Sequence, residues 1–218
     1  MNITNLTPRQ QLHAGRMPLR MVNLYSGLTL YALAEALIIR ANLGVDPWGV
    51  FHLGLAAMAN LSVGTIVILV GAVVLLGWIP LRQWPGLGTV SNAIWIGLAM
   101  DMFLSVIPVM HHLPAQIAML IAAVVLCGLA GALYIGSHFG PGPRDGLMTG
   151  IHLRTGLSIR AVRTTLELSV LGIGWMLGGP VGVGTVVYAL LIGPMTQFFF
   201  RYVTVKLPER APAAAVSG

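Results

Sequence analysis

Two segments of the chain place charged residues beside glycines and prolines, a combination that suits the binding of a small charged ligand. Residues 44–58 and 140–154 each open with a glycine and reach a proline three positions later. Proline is tolerated in the first turn of a helix, and the free N–H groups of a helix N-terminus attract anions. We therefore expect two half-helices that hold a small anion, or the carboxylate or phosphate group of a ligand. The candidate ligand-binding residues in these segments are Pro47, Gly49, Pro143, Arg144, Asp145, Gly146 and Thr149.

Arg144 and Asp145 allow two interpretations. In the first, Arg144 binds the anion and Asp145 orients Arg144 or caps the half-helix. In the second, Asp145 is only a cap, and Arg144 is one of the basic residues that set the orientation of the protein in the membrane. The residue types alone leave both interpretations open.

The composition of the whole chain indicates a membrane protein. Of the 218 residues, 56% are hydrophobic and only 8% are charged, against about 25% charged in a typical soluble domain. A transmembrane helix needs about 20 mostly apolar residues. Six stretches fit that requirement, namely 21–39, 63–79, 89–107, 115–135, 162–177 and 183–200.

The basic residues predict the orientation. All lysines and arginines except Arg40 fall on one side of a six-span arrangement. Because basic loops stay in the cytoplasm, we expect a multi-pass membrane protein with both termini cytoplasmic. The basic face would contact anionic lipid in the phospholipid bilayer, and no nucleic-acid partner is expected, since stacking platforms and recognition motifs are absent.

The chain contains an internal repeat. Shifted by 96 positions, residues 30–103 align without a gap on residues 126–199, and the matches include glycines, prolines, serines and threonines. Each copy holds three spans, so the second copy must begin on the opposite side of the membrane. We expect an all-α polytopic fold of six transmembrane helices, arranged as two inverted three-helix repeats that each carry a short Gly/Pro-broken half-helix. The expected divisions are a cytoplasmic lead at 1–20, repeat 1 at 21–109, repeat 2 at 113–204 and a flexible tail at 205–218.

Three acidic residues lie inside the expected spans, where ionisable groups are costly. Glu35 is five residues before Arg40 and Glu167 is four residues after Arg163, and both lie about one turn from a span end. Snorkelling to the membrane surface or local pairing accounts for both. Asp101 lies deeper.

Asp101 aligns with Gln197 in the repeat register, so both copies keep a polar group at the same helix position. We include both as candidate ligand-binding residues. The alternative for Asp101 is a hydrogen bond between packed helices.

The sequence contains no residue pattern that is typical of an enzyme or of a metal site. The six histidines form no metal-ligand spacing, and no nucleophile, base and acid set is recognisable. We expect no enzyme, no cofactor and no metal.

The run from Gly140 to Gly150, followed by residues 154–160, 182–185 and 192–194, resembles the YczE/YitT group of bacterial integral membrane proteins, in its YczE-like branch, over residues 19–204. The resemblance implies a multi-pass protein of the bacterial inner (plasma) membrane with poorly defined biochemistry, and it brings no binding residues to carry over. It is as compatible with an accessory or regulatory role as with transport.

The inverted repeat and the paired broken segments are typical of transporters whose site lies at the repeat interface. We therefore predict a small transporter or channel-like protein for an anionic or zwitterionic solute or lipid headgroup. The alternative is a non-transporting scaffold, assembly or regulatory factor in a biosynthetic or signalling pathway. A homo-oligomer stays open in either case.

Overall fold

The structure is a computed structural model that describes residues 10–11 and 13–207. The first nine residues and the end of the tail from 208 onward, parts of the expected lead and tail, lie outside this description. Long helices dominate the described residues, and no strand occurs among them. In chain order they are α1 (Met17–Ala41), α2 (Pro47–Ala59), α3 (Val63–Leu81), α4 (Leu87–Val106), α5 (Leu113–Ile135), α6 (Pro143–Thr155), α7 (Ile159–Met176) and α8 (Val183–Val203).

Five of these helices, α1, α3, α4, α5 and α8, are long and apolar enough to cross a membrane. The all-helical, multi-pass character expected from composition is thereby confirmed. The one expected span not among these five, 162–177, corresponds to α7, an 18-residue helix that carries Arg160, Arg163 and Glu167. The first helix, α1, also carries three charged residues, but they are spread over 25 residues, whereas those of α7 fall within 18.

The two Gly/Pro segments form the short helices α2 and α6. Each has 13 residues and begins at its proline, Pro47 or Pro143, as predicted. At 1.5 Å per residue such a helix is about 20 Å long, too short for a hydrocarbon core of about 30 Å.

A serine N-cap stabilises the first turn of α3 and of α7. Ser62 accepts a hydrogen bond from the Thr65 backbone N–H at 3.2 Å at the start of α3. Ser158 accepts one from Ala161 at 3.2 Å at the start of α7. Both serines occupy the N-cap position, for which serine is one of the preferred residues.

Small residues set the spacing of the central helices. α1 packs against α4 and α5, and α5 packs against α8. A Cβ atom on Gly27 of α1 would lie 2.7 Å from the backbone nitrogen of Tyr134, and one on Gly128 of α5 would lie 2.5 Å from the Cβ of Met195. The helix backbones therefore approach as closely as glycine allows.

Each short helix is preceded by a loop that the other half of the chain holds. The Gly88 N–H donates to the Phe139 carbonyl at 2.9 Å, and the Gly184 N–H donates to the Leu43 carbonyl at 2.7 Å. Donors and acceptors of the two bonds are each 96 positions apart, the spacing of the sequence repeat. Elsewhere, α2 packs on α7 and α3 packs on α6.

Arg20 is fully buried near the start of α1. Its guanidinium donates to the carbonyls of Ser137 at 2.8 Å, Gln11 at 2.7 Å and His138 at 3.0 Å, and it stacks over the ring of Phe139 at 4.1 Å. The charge pattern of the sequence includes Arg20 among the residues that set the orientation. Its hydrogen bonds show that Arg20 also connects the start of α1 to the loop after α5.

Candidate functional site

A partly open cavity of about 130 Å³ lies where the short helices α2 and α6 meet. Each of the helices α1 to α8 contributes to its lining. Its charged lining residues are Glu35, Asp46, Arg144, Asp145, Arg163 and Glu167.

An ion pair joins the two short helices at this cavity. The Arg144 Nη1 lies 3.8 Å from the Asp46 Oδ2, and the Asp46 side chain is only 4% exposed. Asp46 also caps α2, because its carboxylate accepts hydrogen bonds from the backbone N–H groups of Trp48 at 3.2 Å and Gly49 at 3.0 Å. The Arg144 guanidinium stacks over the Trp48 ring at 4.7 Å. One carboxylate therefore serves both a helix N-terminus and a cation from the other half.

The electrostatic environment keeps Arg144 charged. Burial alone would lower the pKa of its guanidinium, but the Tyr31 hydroxyl and the Asp46 and Glu35 carboxylates outweigh burial and raise that pKa above its usual value. Arg144 is thus a permanent positive charge in the cavity wall.

Asp145 has neither role that the sequence suggested for it. The N-cap of α6 is Gly142, which makes no side-chain cap bond, and the acidic partner of Arg144 is Asp46. The Asp145 carboxylate instead accepts a hydrogen bond from the Tyr134 hydroxyl at 3.0 Å. Asp145 therefore connects α6 to α5.

The other residues predicted on the short helices divide into two sets. Pro47, Gly49 and Pro143 line the cavity. Gly146 and Thr149 do not belong to the lining. A Cβ on Gly146 would lie 2.0 Å from the Trp78 ring, and the Thr149 hydroxyl donates to the Asp145 carbonyl at 2.9 Å.

The indole of Trp78 fixes the start of α6. Its Nε1–H donates to the Pro143 carbonyl at 2.9 Å. The absence of a Cβ on Gly146 lets this indole pack against α6.

The structure does not bring Asp101 and Gln197 to the cavity. The Asp101 carboxylate accepts hydrogen bonds from the Ser62 hydroxyl at 2.6 Å and from the Gly64 N–H at 2.7 Å, so it ties α4 to the start of α3. Gln197 is exposed on α8. Neither residue belongs to the lining.

Glu35 is a lining residue that the sequence interpretation missed. The expected pairing with Arg40 is wrong, because the Arg40 guanidinium donates to the Leu104 carbonyl. Glu35 is only 6% exposed and receives a long contact from the Cys127 thiol at 3.8 Å. Its carboxyl also interacts with that of Asp46.

Two further lining residues escaped the sequence interpretation as ligand-binding candidates, although signals for them were present. Asp46 directly precedes Pro47, and aspartate before the first turn is a common N-cap. Trp48 follows the same proline. By contrast, the sequence predicts the ion pair of Arg163 with Glu167, which the structure shows at 2.8 Å, but it does not predict that this pair lies in the cavity wall.

Among the residues that the structure describes, no three His, Cys, Asp or Glu side chains are grouped to hold a metal ion.

Comparisons with known proteins agree with the membrane architecture. A model of a family of unknown function, DUF6198, matches residues 18–201. The chain is 38% identical to an uncharacterised protein of Haemophilus influenzae, over 84% of this chain and 83% of that protein. It is 35% identical to the uncharacterised membrane protein YczE of Bacillus subtilis, over 83% and 85% respectively, which confirms the resemblance to the YczE-like group. No solved structure matches the chain.

Proposed function

We propose that this chain, which belongs to the family of unknown function DUF6198, is a small inner-membrane transporter or channel-like protein for an anionic or zwitterionic solute. The observation that carries the proposal is the Arg144–Asp46 ion pair, which joins the first turns of two short, interrupted helices in a charged cavity. Paired interrupted helices in corresponding halves of a membrane protein commonly mark the substrate site.

The proposal includes six membrane crossings, with α7 as the fifth, and two repeats of opposite orientation. Equivalent packing in the two halves supports it: α1 on α4 corresponds to α5 on α8, and α2 on α7 corresponds to α6 on α3. Three crossings per half then reverse the second repeat and leave both termini in the cytoplasm, in agreement with the distribution of basic residues.

The size of the cavity limits the solute. An engineered apolar cavity of about 150 Å³ accommodates benzene, and the cavity here is about 130 Å³. A small solute or a single headgroup fits this volume, whereas a whole lipid does not.

The Arg144–Asp46 ion pair provides a way for solute binding to change the contact between α2 and α6. A solute anion that approaches Arg144 competes with Asp46 for the guanidinium, so binding would weaken the link between α2 and α6. Movement of one half of the protein against the other around such a site is the usual route to alternating access.

Flux measurements test the proposal. Purified protein is reconstituted into liposomes and assayed with a panel of small anions and zwitterions. We expect saturable flux of at least one of them, lost in Arg144→Gln and retained in Arg201→Gln, which removes an exposed arginine of α8 outside the cavity. Folded protein that transports nothing across the panel would contradict transport and favour the scaffold role, for which co-purifying protein partners are then sought.

A further inference from the structure

The charges that line the cavity do not balance. The lining contains four of the six acidic residues of the chain but only two of its twelve basic residues. The two arginines are each paired with one acid, in the Arg144–Asp46 and Arg163–Glu167 ion pairs. Glu35 and Asp145 are left, and in the described part of the chain no basic side chain lies within 4.0 Å of either.

Glu35 and Asp145 differ in their other partners. Asp145 accepts a hydrogen bond from the Tyr134 hydroxyl at 3.0 Å. The neighbours of the Glu35 carboxyl are the Tyr31 hydroxyl, the Asp46 carboxyl and the Cys127 thiol at 3.8 Å, a weak donor. Glu35 has no paired cation, and the neighbouring Asp46 carboxylate adds to the desolvation cost of a buried negative charge. Glu35, 6% exposed in the wall of the cavity, is therefore a place where a ligand's positive charge is stabilised.

The same wall also contains a donor without an acceptor. Trp48 is 6% exposed and lines the cavity, and its indole Nε1 is buried with no hydrogen-bond partner. Buried donors in native proteins are rarely left unpaired. An acceptor atom on a bound molecule would satisfy Nε1, and the Arg144 guanidinium stacked on that indole would add a positive charge beside the acceptor.

We infer that the cavity takes a small zwitterion, whose positively charged nitrogen lies against Glu35 and whose carboxylate or phosphate group lies against Trp48 and Arg144. The inference rests on the proposed role of the cavity as the solute site and narrows the solute to one class. A free zwitterion and the headgroup of a zwitterionic lipid share this chemistry. An anion without a nitrogen would leave Glu35 uncompensated, and a cation without an acidic group would leave the Trp48 N–H unpaired.

Binding to the detergent-purified full chain is measured by isothermal titration calorimetry with three matched sets of probes. The zwitterions are β-alanine, glycine betaine and phosphoethanolamine. Their cationic counterparts are propylammonium, tetramethylammonium and ethanolamine, and their anionic counterparts are propionate, acetate and ethyl phosphate. Phosphoethanolamine represents the headgroup source, and the other two zwitterions represent free solutes.

We expect at least one zwitterion to bind more tightly than both of its counterparts. Glu35→Gln should weaken that binding by about tenfold or more, the loss typical of one charged hydrogen bond. Asp101→Asn removes another carboxylate of a membrane helix, outside the lining, and should leave binding unchanged. Trp48→Phe should also weaken binding, because the phenyl ring keeps an aromatic face for Arg144 but has no N–H for the acceptor of the ligand.

The inference is overturned if the anionic counterparts bind as well as the zwitterions and do not respond to Glu35→Gln, or if no zwitterion binds to the folded protein. Its failure is distinguishable from that of the proposed function. A zwitterion that binds without being transported supports the site and contradicts transport. Saturable flux of ethyl phosphate or propionate that is insensitive to Glu35→Gln supports transport and contradicts the zwitterion.

Discussion

Arg144 lies 3.8 Å from Asp46, the residue that caps α2, so a single ion pair connects the first turns of two short helices from opposite halves of the chain. The pair is asymmetric in its surroundings. The Asp46 side chain is 4% exposed and the Arg144 side chain is 31% exposed, so loss of the acid leaves a cation that still reaches solvent, while loss of the cation leaves a buried anion.

Substitution of Asp46 should separate its two roles. Asp46→Asn keeps a cap oxygen and removes the charge, whereas Asp46→Ala removes both. We expect Asp46→Ala to be less stable than Asp46→Asn by about 1 kcal/mol, the usual value of an N-cap. The measurement is thermal unfolding in a mild detergent, followed by helical circular dichroism. Equal stability of the two variants would show that the cap bonds to Trp48 and Gly49 do not contribute.

The coupling between the two partners is measured by a double-mutant cycle. We expect Arg144→Gln alone to be more destabilising than the same change made in Asp46→Asn, because in the second background no buried anion is left unpaired. Additive effects would contradict an energetic link across the 3.8 Å pair.

The contact between α5 and α8 should tolerate no side chain at Gly128. A Cβ there would lie 2.5 Å from the Met195 Cβ, so Gly128→Ala should force the helices apart and lower the melting temperature. Gly172→Ala in α7 is the matched control, since no atom lies within 4 Å of its added Cβ. It should be neutral or stabilising by up to about 1 kcal/mol, the difference in helix propensity. A Gly128→Ala variant as stable as the Gly172→Ala control would contradict the close packing.

Local features of this fold could be predicted from the sequence, and contacts between distant segments could not. The helix starts at Pro47 and Pro143 and the Ser62 and Ser158 caps depend on neighbouring residues, so their patterns sufficed. The Arg144–Asp46 pair depends on how two segments almost a hundred residues apart meet. No local pattern selects that partner over the adjacent Asp145.

The two ion pairs predicted within single helices differ in outcome, and the angle between the two residues around the helix explains the difference. Arg163 and Glu167 are four residues apart, which places them about 40° apart around a helix, and they do form an ion pair. Glu35 and Arg40 are five residues apart and therefore about 140° apart. Arg40 is turned away, and Glu35 faces the cavity. Angular position, which the sequence does contain, would have excluded the second pair.

Arg20 should resist even a conservative exchange. Its guanidinium donates to three carbonyls from two separate segments, and a lysine ammonium cannot reproduce that planar set of donors. We expect Arg20→Lys to lower stability by about 2 kcal/mol, as for loss of a hydrogen bond from a charged group. Arg16 is the exposed residue directly before α1, and Arg16→Lys should change stability little. Comparable melting temperatures for the two variants would show that charge alone, rather than the hydrogen-bond geometry, is required at Arg20.

The crossing of α7 is the part of the proposed topology that most needs a test, because α7 carries three charged residues. Leu157 and Val181 are exposed residues on either side of α7, so a cysteine at each position reports the side of the membrane on which it lies. The background is Cys127→Ala, which removes the single native cysteine. In spheroplasts, a membrane-impermeant maleimide should label Val181→Cys readily and Leu157→Cys only after permeabilisation. Labelling of both positions in sealed spheroplasts, or of neither, would place them on one side and remove the inverted arrangement, because the second half would then have an even number of crossings. Trp84→Cys, in the exposed loop between α3 and α4, should behave like Leu157→Cys, because the proposed topology places both positions in the cytoplasm.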